Sequence, residues 1–192
     1  MTVAFSRTLP VGRFETWTEK PPFEFHQVTQ VHGTEIVSVE TLPAEADGMI
    51  LSWEDMDRPV AIKTADCLPV VILGEKGVVC VHAGWRGLAG EILSRPEVSL
   101  IRPYAAFIGP FIHDCCFEVS EDFAQNFPES PLLESENRFF FDLGEEARKQ
   151  LLSVNPEMAI DVSDACTCCD RKLHSYRRNK PNQRNWNLYI KG

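Results

Sequence analysis

Residues 64–87 read TADCLPVVILGEKGVVCVHAGWRG, two apolar runs separated by Gly74-Glu75-Lys76-Gly77. Glycines and charges between β-branched runs are the signature of a hairpin. If Gly74 pairs with Gly77 and the strands run antiparallel from there, Cys67 falls opposite Gly84. His82 is then one diagonal step away on the same face, with Cβ atoms roughly 7 Å apart, because side chains alternate with period two. That spacing suits two ligands of one metal, or a thiol and its base. One bulge would separate them onto opposite faces. The runs end in Thr64-Ala65-Asp66 on one side and Ala83-Gly84-Trp85-Arg86-Gly87 on the other. Those glycines let backbone approach a ligand closely, Trp85 offers a stacking face and Arg86 a fixed anion fork. For either residue alone, a buried thiol or a hydrogen-bonded core histidine is the competing reading.

Working outward, further short β-branched runs read as strands: 35–39, 48–51, 60–63, 105–108 and 187–190, beside the hairpin strands 68–73 and 78–81. Helical patterns cover 88–94, 121–127 behind a Ser120 N-cap, and 144–153, where Ala147, Leu151 and Leu152 share a face. Residues 128–137 read as a long surface loop. The expected fold is α+β, a single domain over 1–192 of mixed, β-sandwich-like sheets flanked by helices; 192 residues at 44% hydrophobic content suffice for one full core.

The net charge of -9 leaves no basic field for a nucleic-acid backbone or an anionic membrane. With no run of signal-peptide or membrane-span length, a cytoplasmic location is the simplest reading. Positive charge concentrates in 171–184, RKLHSYRRNKPNQR, either a solvated segment or a ligand-facing one. The seven cysteines are odd in number and two pairs are sequence neighbours, which suits disulfides badly. Cys115-Cys116 and Cys166-Thr167-Cys168-Cys169 are not taken as CxxC chelates, and buried structural thiols are expected there, as for Cys80. His26, His113 and His174 carry no partner signal.

His32, in Gln30-Val31-His32-Gly33-Thr34-Glu35, is a third candidate beside Cys67 and His82. Two histidines and a thiolate suit zinc with an open fourth position. Copper fits less well, because no methionine closely follows Cys67. Neither an HExxH helix nor the HxE…PCxxC pattern of zinc nucleobase deaminases is present.

Taken together, QVHGTEI, ADGMI, TADCLPV, VHAGWRGLAGEI, IGPFIHDCCFEV and CTCC with SYRRNK resemble, in order and from about Gln30 onward, the bacterial YfiH/YlmD family. That family is also called DUF152 or the peptidoglycan editing factor family, and carries an old laccase label. The resemblance implies mixed sheets with flanking helices and a metal site, usually zinc, at His32, Cys67 and His82. It also implies phosphorolysis of adenosine, inosine and methylthioadenosine, and deamination of adenosine. The expected partners are a nucleoside and phosphate, with no nucleic acid and no membrane, and the chain is expected as a monomer or small homo-oligomer. The segment before Thr29 is shorter than in the family: only Phe5-Ser6-Arg7 matches its opening, and Asn182-Gln183-Arg184 stands where Thr-Gly-Arg is common.

A zinc at those residues would lower the pKa of a bound water to about 7 and provide a hydroxide for C6 of adenine. Asp66, next to the thiolate, is expected as a proton shuttle or a partner of the ligands, with capping of the strand-end turn as the plain alternative. Arg7, Arg86, Arg178 and Arg184 are the candidate phosphate holders, since guanidinium forks match phosphate oxygens. Two other readings stand beside this one: Cys67 as nucleophile and His82 as base of an amide hydrolase acting on peptidoglycan precursors, and a degenerate, non-catalytic member that binds a nucleotide or a partner.

Overall fold

The computed structural model describes residues 3–180 and 182–192. In chain order its regular elements are β1 (Val3–Thr8), β2 (Arg13–Trp17), β3 (Ile36–Ser38), β4 (Gly48–Ser52), β5 (Val60–Thr64), β6 (Leu68–Gly74), β7 (Gly77–Ala83), α1 (Trp85–Ala89) and α2 (Pro96–Leu100). There follow β8 (Pro103–Ile108), β9 (Glu118–Val119), β10 (Leu133–Ser135), β11 (Arg138–Phe140), α3 (Leu143–Val154), β12 (Ala159–Val162), α4 (Tyr176–Asn179) and β13 (Asn185–Ile190). A six-stranded sheet is ordered β12-β8-β6-β7-β4-β3, a four-stranded one β1-β2-β13-β5, and a small third one β10-β11-β9.

The hairpin of β6 and β7 forms the middle of the largest sheet, and all seven residues of each strand are buried. Its two faces feed two cores. Val70, Ile72, Val79 and Val81 meet Leu88, Leu93, Ala147 and Leu151 from the helical layer. Val71, Leu73, Val78 and Cys80 meet Phe14, Val60, Ile62 and Tyr189 of the four-stranded sheet. Burial on both faces is why the runs are continuous rather than alternating. The expected mixed α+β architecture, with two stacked sheets and helices outside, is the one observed.

All seven strands read from the sequence form, to within one or two residues. The hairpin register is the expected one: Val70 pairs with Val81 and Leu68 with Ala83, which sets Cys67 opposite Gly84. The helix expected over 88–94 is interrupted. α1 ends at Ala89, Glu91 takes the left-handed conformation at φ 59°, and a 3-10 turn covers Ile92–Ser94. The expected helix at 121–127 is 3-10 over Glu121–Asn126, and Ser120 precedes it without capping it through its side chain. The surface loop expected at 128–137 instead contains β10, which turns into β11 through Glu136 and Asn137 at φ 51° and 60°. Two consecutive left-handed residues make a tight hairpin turn that this pair, lacking the usual glycine, does not advertise.

β1 and β2 were not foreseen. Their inward positions include Thr16, fully buried and donating from Oγ1 to Asn187 Oδ1 of β13 at 2.8 Å. Asn187 in turn donates to Thr64 Oγ1 at 2.9 Å and the Ile62 carbonyl at 3.1 Å on β5. This satisfied polar network replaces apolar residues on the inner face and hides the period-two pattern. No helix among the described residues is long and apolar enough to cross a membrane.

Candidate functional site

β5 belongs to the four-stranded sheet and β6 to the six-stranded one, so Ala65-Asp66-Cys67 is the corner where the chain changes sheets. Asp66 makes that bend at φ 94°, a strained value for a residue with a Cβ. The corner brings Cys67 to the open end of the hairpin beside His82. The loop before β3 swings His32 over both, its own φ at 60°. One ligand atom from each of His32, Cys67 and His82 lies within 4.8 Å of the others, and the two imidazoles meet edge to face at 4.8 Å between centroids. A Cβ on Gly84 would stand 3.2 Å from Cys67 Sγ and 3.4 Å from the His32 ring, a tight fit that would press on both ligand side chains.

Asp47, fully buried just before β4, organises this trio. Its Oδ1 lies 2.7 Å from His82 Nδ1 and accepts the His32 N–H at 3.0 Å, while Oδ2 accepts the Gly33 N–H at 2.6 Å. A single carboxylate therefore fixes the His32 loop, strand β7 and the His82 tautomer. Since Nδ1 carries the proton shared with Asp47, Nε2 is the nitrogen left for a ligand. Sequence reading missed Asp47 because Asp-Gly before a strand reads as turn chemistry; its only signal was its place in ADGMI.

The electrostatics follow from this packing. Burial opposes charge on every member, yet hydrogen bonds and field outweigh it. The His32 and His82 imidazoles hold the Cys67 thiol down at about 6 against burial. Against the same burial penalty, Asp47 and Cys67 raise His82 to about 9. Burial likewise works against ionised Asp47, but His82 and the two amides keep its carboxyl below the ordinary range. Without a metal, the surroundings of Cys67, His82 and Asp47 favour the thiolate, imidazolium and carboxylate forms.

His32, Cys67 and His82 line the floor of a cavity of about 610 Å³, inside the ~300–1,000 Å³ range of small-molecule sites. Its walls carry the aromatic rings of Trp85, Phe117 and Tyr176 and the cations Lys63, Arg86, Arg177 and Arg184. In a chain of net charge -9 this is a local concentration of positive charge. Arg86 lies over the Trp85 ring at 4.5 Å, and Arg177 over Phe117 at 5.1 Å.

The four expected arginines separate. Arg86 and Arg184 line the cavity. Arg178 does not: its guanidinium donates to the carbonyls of Thr167, Cys168, Asp170 and Leu173 at 2.5–3.1 Å, and so staples the chain that precedes α4. Its neighbour Arg177 takes the cavity position instead, a one-residue difference set by the phase of a single helical turn. Arg7 pairs with Asp161 at 3.3 Å on β1. Three strand pairings lead from Arg7 through Phe14 and Tyr189 to Val60, four residues short of Thr64. Strand spacing and rise put Arg7 roughly 20 Å from the cavity, and it is not among the residues that line it. Part of the basic 171–184 segment does face the cavity.

Asp66 uses both oxygens on the chain: Oδ1 accepts from Thr167 Oγ1 at 2.7 Å and Oδ2 from the Arg177 N–H at 2.6 Å. It anchors the segment carrying Arg177. His26 meets Asp57 at 2.8 Å and His174 the Thr18 carbonyl at 2.9 Å, structural partners both.

Cys80 is buried in the second core as expected. The other cysteines correct the expectation of buried thiols: Cys115 and Cys169 are exposed and Cys116 half-buried. Cys166 and Cys169 are moreover three apart, a CxxC pair masked by the intervening Cys168.

A Cys/His trio lining a cation-rimmed cavity, with His82 buried, Cys67 half-buried and His32 exposed, on stacked sheets with outer helices, defines a class of small-molecule site. The family model described as multi-copper polyphenol oxidoreductase laccase matches residues 12–188. A relative from Aquifex aeolicus named purine nucleoside phosphorylase is 32% identical over 179 residues, 90% of this chain and 84% of the relative. Purine nucleoside phosphorylase YlmD of Geobacillus stearothermophilus is 31% identical, covering 88% of this chain and 72% of that protein. Among solved structures, YlmD from G. stearothermophilus superposes with a TM-score of 0.71 at 28% identity, over 85% of this chain and 72% of that one. YfiH of Bacillus licheniformis gives 0.71 at 26%, over 85% and 73%. The chain belongs to the YfiH/YlmD family, and the match starts well before Gln30, within the hairpin of β1 and β2.

Proposed function

We propose that the protein is a zinc-dependent purine nucleoside phosphorylase that cleaves inosine, adenosine and methylthioadenosine, with adenosine deamination as a second activity of the same site. The observation that carries this reading is the cavity itself: a His32/Cys67/His82 floor under three aromatic faces and four cations. The names of its relatives point the same way.

The donor set fits zinc, two imidazoles and one thiolate with Asp47 orienting His82 from behind. When bound there, the ion supplies Lewis-acid chemistry at the cavity floor. Copper finds less: a blue-copper site adds a weak axial methionine or amide oxygen. No methionine lines the cavity among the described residues, and the Gln30 amide is engaged at both ends by Lys63, its Oε1 accepting at 2.8 Å and its Nε2 donating at 2.7 Å.

In phosphorolysis a phosphate oxygen forms the new bond to C1′ as the glycosidic C–N bond breaks, and the electron pair leaves with the base. The guanidinia of Arg86, Arg177 and Arg184 suit the phosphate, whose charge they offset and whose oxygens match their geometry. Trp85, Phe117 and Tyr176 offer the purine its stacking faces. Asp66 acts through Arg177, whose backbone it holds.

A second reading has a specific observation behind it. Cys67, His82 and Asp47 also have the order of a nucleophile, a base and its orienting carboxylate, with the thiol already held low. That arrangement would serve an amide hydrolase. Chelation separates the two: phosphorolysis is abolished by removing metal and restored by zinc, whereas a thiol hydrolase survives chelators and dies with iodoacetamide. Incubation with adenosine, monitored for inosine and adenine together, tests the deaminase part.

A further inference from the structure

Cys115, Cys116, Cys166 and Cys169 come together from two segments about fifty residues apart, away from the His32 site. Their Sγ atoms are separated by 3.7 Å (Cys115–Cys116), 3.9 Å (Cys115–Cys166), 3.9 Å (Cys115–Cys169) and 3.4 Å (Cys116–Cys169), and all lie within 4.8 Å of one another. Four sulfurs around one zinc at about 2.3 Å form a tetrahedron with edges of about 3.8 Å, the spacing seen here. Iron–sulfur clusters distribute their thiolates over several irons and spread the sulfurs wider than a single ion does.

Hydrophobic packing does not account for the gathering. Free cysteines in proteins are ordinarily buried, yet Cys115 and Cys169 are exposed at this surface. The backbone is shaped for it as well. Cys166 and Cys169 stand three apart on a tight turn in which the Cys169 and Asp170 N–H groups both donate to the Cys166 carbonyl, at 3.1 and 2.9 Å. The His113 N–H donates to Cys166 Sγ at 3.4 Å, a bond that favours thiolate character at the sulfur.

We propose that these four cysteines form a second metal site, a tetrathiolate for one zinc ion, which clasps the 113–117 turn to the 166–170 turn. Its consequence reaches the cavity through short links. Thr167, inside the clasped turn, donates to Asp66. Arg178 ties the carbonyls of Thr167, Cys168 and Asp170, and Phe117 at the end of the other turn carries the Arg177 guanidinium. The ion fixes the wall on which Arg177 stands; it touches no substrate, and it stands whether or not the phosphorylase reading does.

The test uses full-length protein purified anaerobically under reductant, with metal measured per chain. About two zinc ions are expected in the wild type, about one in Cys67→Ala and about one in the Cys116→Ser/Cys169→Ser double variant. As a control independent of folding in that double variant, cobalt(II) is also loaded into Cys67→Ala, which keeps all four clasp cysteines. The expected result is the intense visible absorption and sulfur-to-metal charge transfer of tetrahedral thiolate cobalt. Cys67→Ala protein free of zinc and without a thiolate cobalt spectrum would overturn the proposal. So would an intact mass lowered by hydrogens lost to disulfides among these cysteines in protein so prepared.

Discussion

Asp47 sets the chemistry of the two residues it does not resemble. Its bond to His82 favours the protonated ring, which together with the His32 imidazole holds the Cys67 thiol down at about 6. In metal-free protein, iodoacetamide should therefore alkylate Cys67 with a midpoint near pH 6. Asp47→Asn should move the midpoint upward and weaken zinc binding ~10–100-fold, as loss of such supports does elsewhere; an unmoved midpoint counts against this coupling. The signs of the linked stability are opposite for the two partners. The lowered thiol contributes fully above pH 9.0 and loses its contribution as pH falls through about 6. The raised imidazole contributes fully below 6.5 and loses its contribution as pH rises through about 9. The two contributions therefore change in opposite directions across about pH 6 to 9 and largely offset, so the thermal midpoint of metal-free protein should stay nearly level over that window.

The arginines divide at the same scale. Arg177→Ala should raise the KM for phosphate ~10-fold or more, since a hydrogen bond to a charged group is worth about 1.5–3 kcal/mol. Arg7→Ala should leave that KM within about twofold, a contrast steady-state kinetics at varied phosphate resolves.

At the scale of elements, the sheet-changing corner and α4 are one assembly joined by Asp66. Replacing Asp66 by Asn leaves one acceptor where the Thr167 hydroxyl and the Arg177 amide need two. A cost of about 1–3 kcal/mol in denaturant unfolding is expected, with a raised KM for phosphate as α4 loosens. A drop in kcat with no change in stability would instead favour Asp66 as a proton carrier. Elements are also where sequence reading was strongest and then stopped. The β6–β7 hairpin gave up its register because its two glycines and its length admit one pairing, and period two then set Cys67 and His82 on one face. His32 is a candidate from its own stretch, but only the family resemblance ties it to Cys67 and His82, since nothing local links a loop near residue 32 to strands beyond 67. Arg177 rather than Arg178 depends on the phase of a four-residue helix, and the clasp on contact between distant turns, neither of which local periodicity encodes. β2 escaped because Thr16 puts a polar group on its buried face, and β1 because it is a half-exposed edge strand.

Across the whole molecule, the C-terminal strand is central rather than peripheral. β13 lies between β2 and β5 and its buried Asn187 joins the three strands, reaching Thr64 at the end of β5. Deleting residues 185–192 should abolish cooperative unfolding and yield aggregated protein, whereas Ile72→Ala in the doubly covered middle strand should cost about 2–5 kcal/mol and leave a folded chain. The same layering puts an acidic exterior around a cationic cavity, which suits a small anion and disfavours a polyanion.

The proposed phosphorolysis over the His32/Cys67/His82 floor makes phosphate an obligatory co-substrate. The most direct measurement is the time course of inosine cleavage by zinc-loaded protein with and without phosphate. The expected result is hypoxanthine and ribose 1-phosphate in equal amounts, only when phosphate is present, and neither with Cys67→Ala. Zinc-loaded wild-type protein that turns over no purine nucleoside, or a Cys67→Ala variant that matches it, would contradict the account.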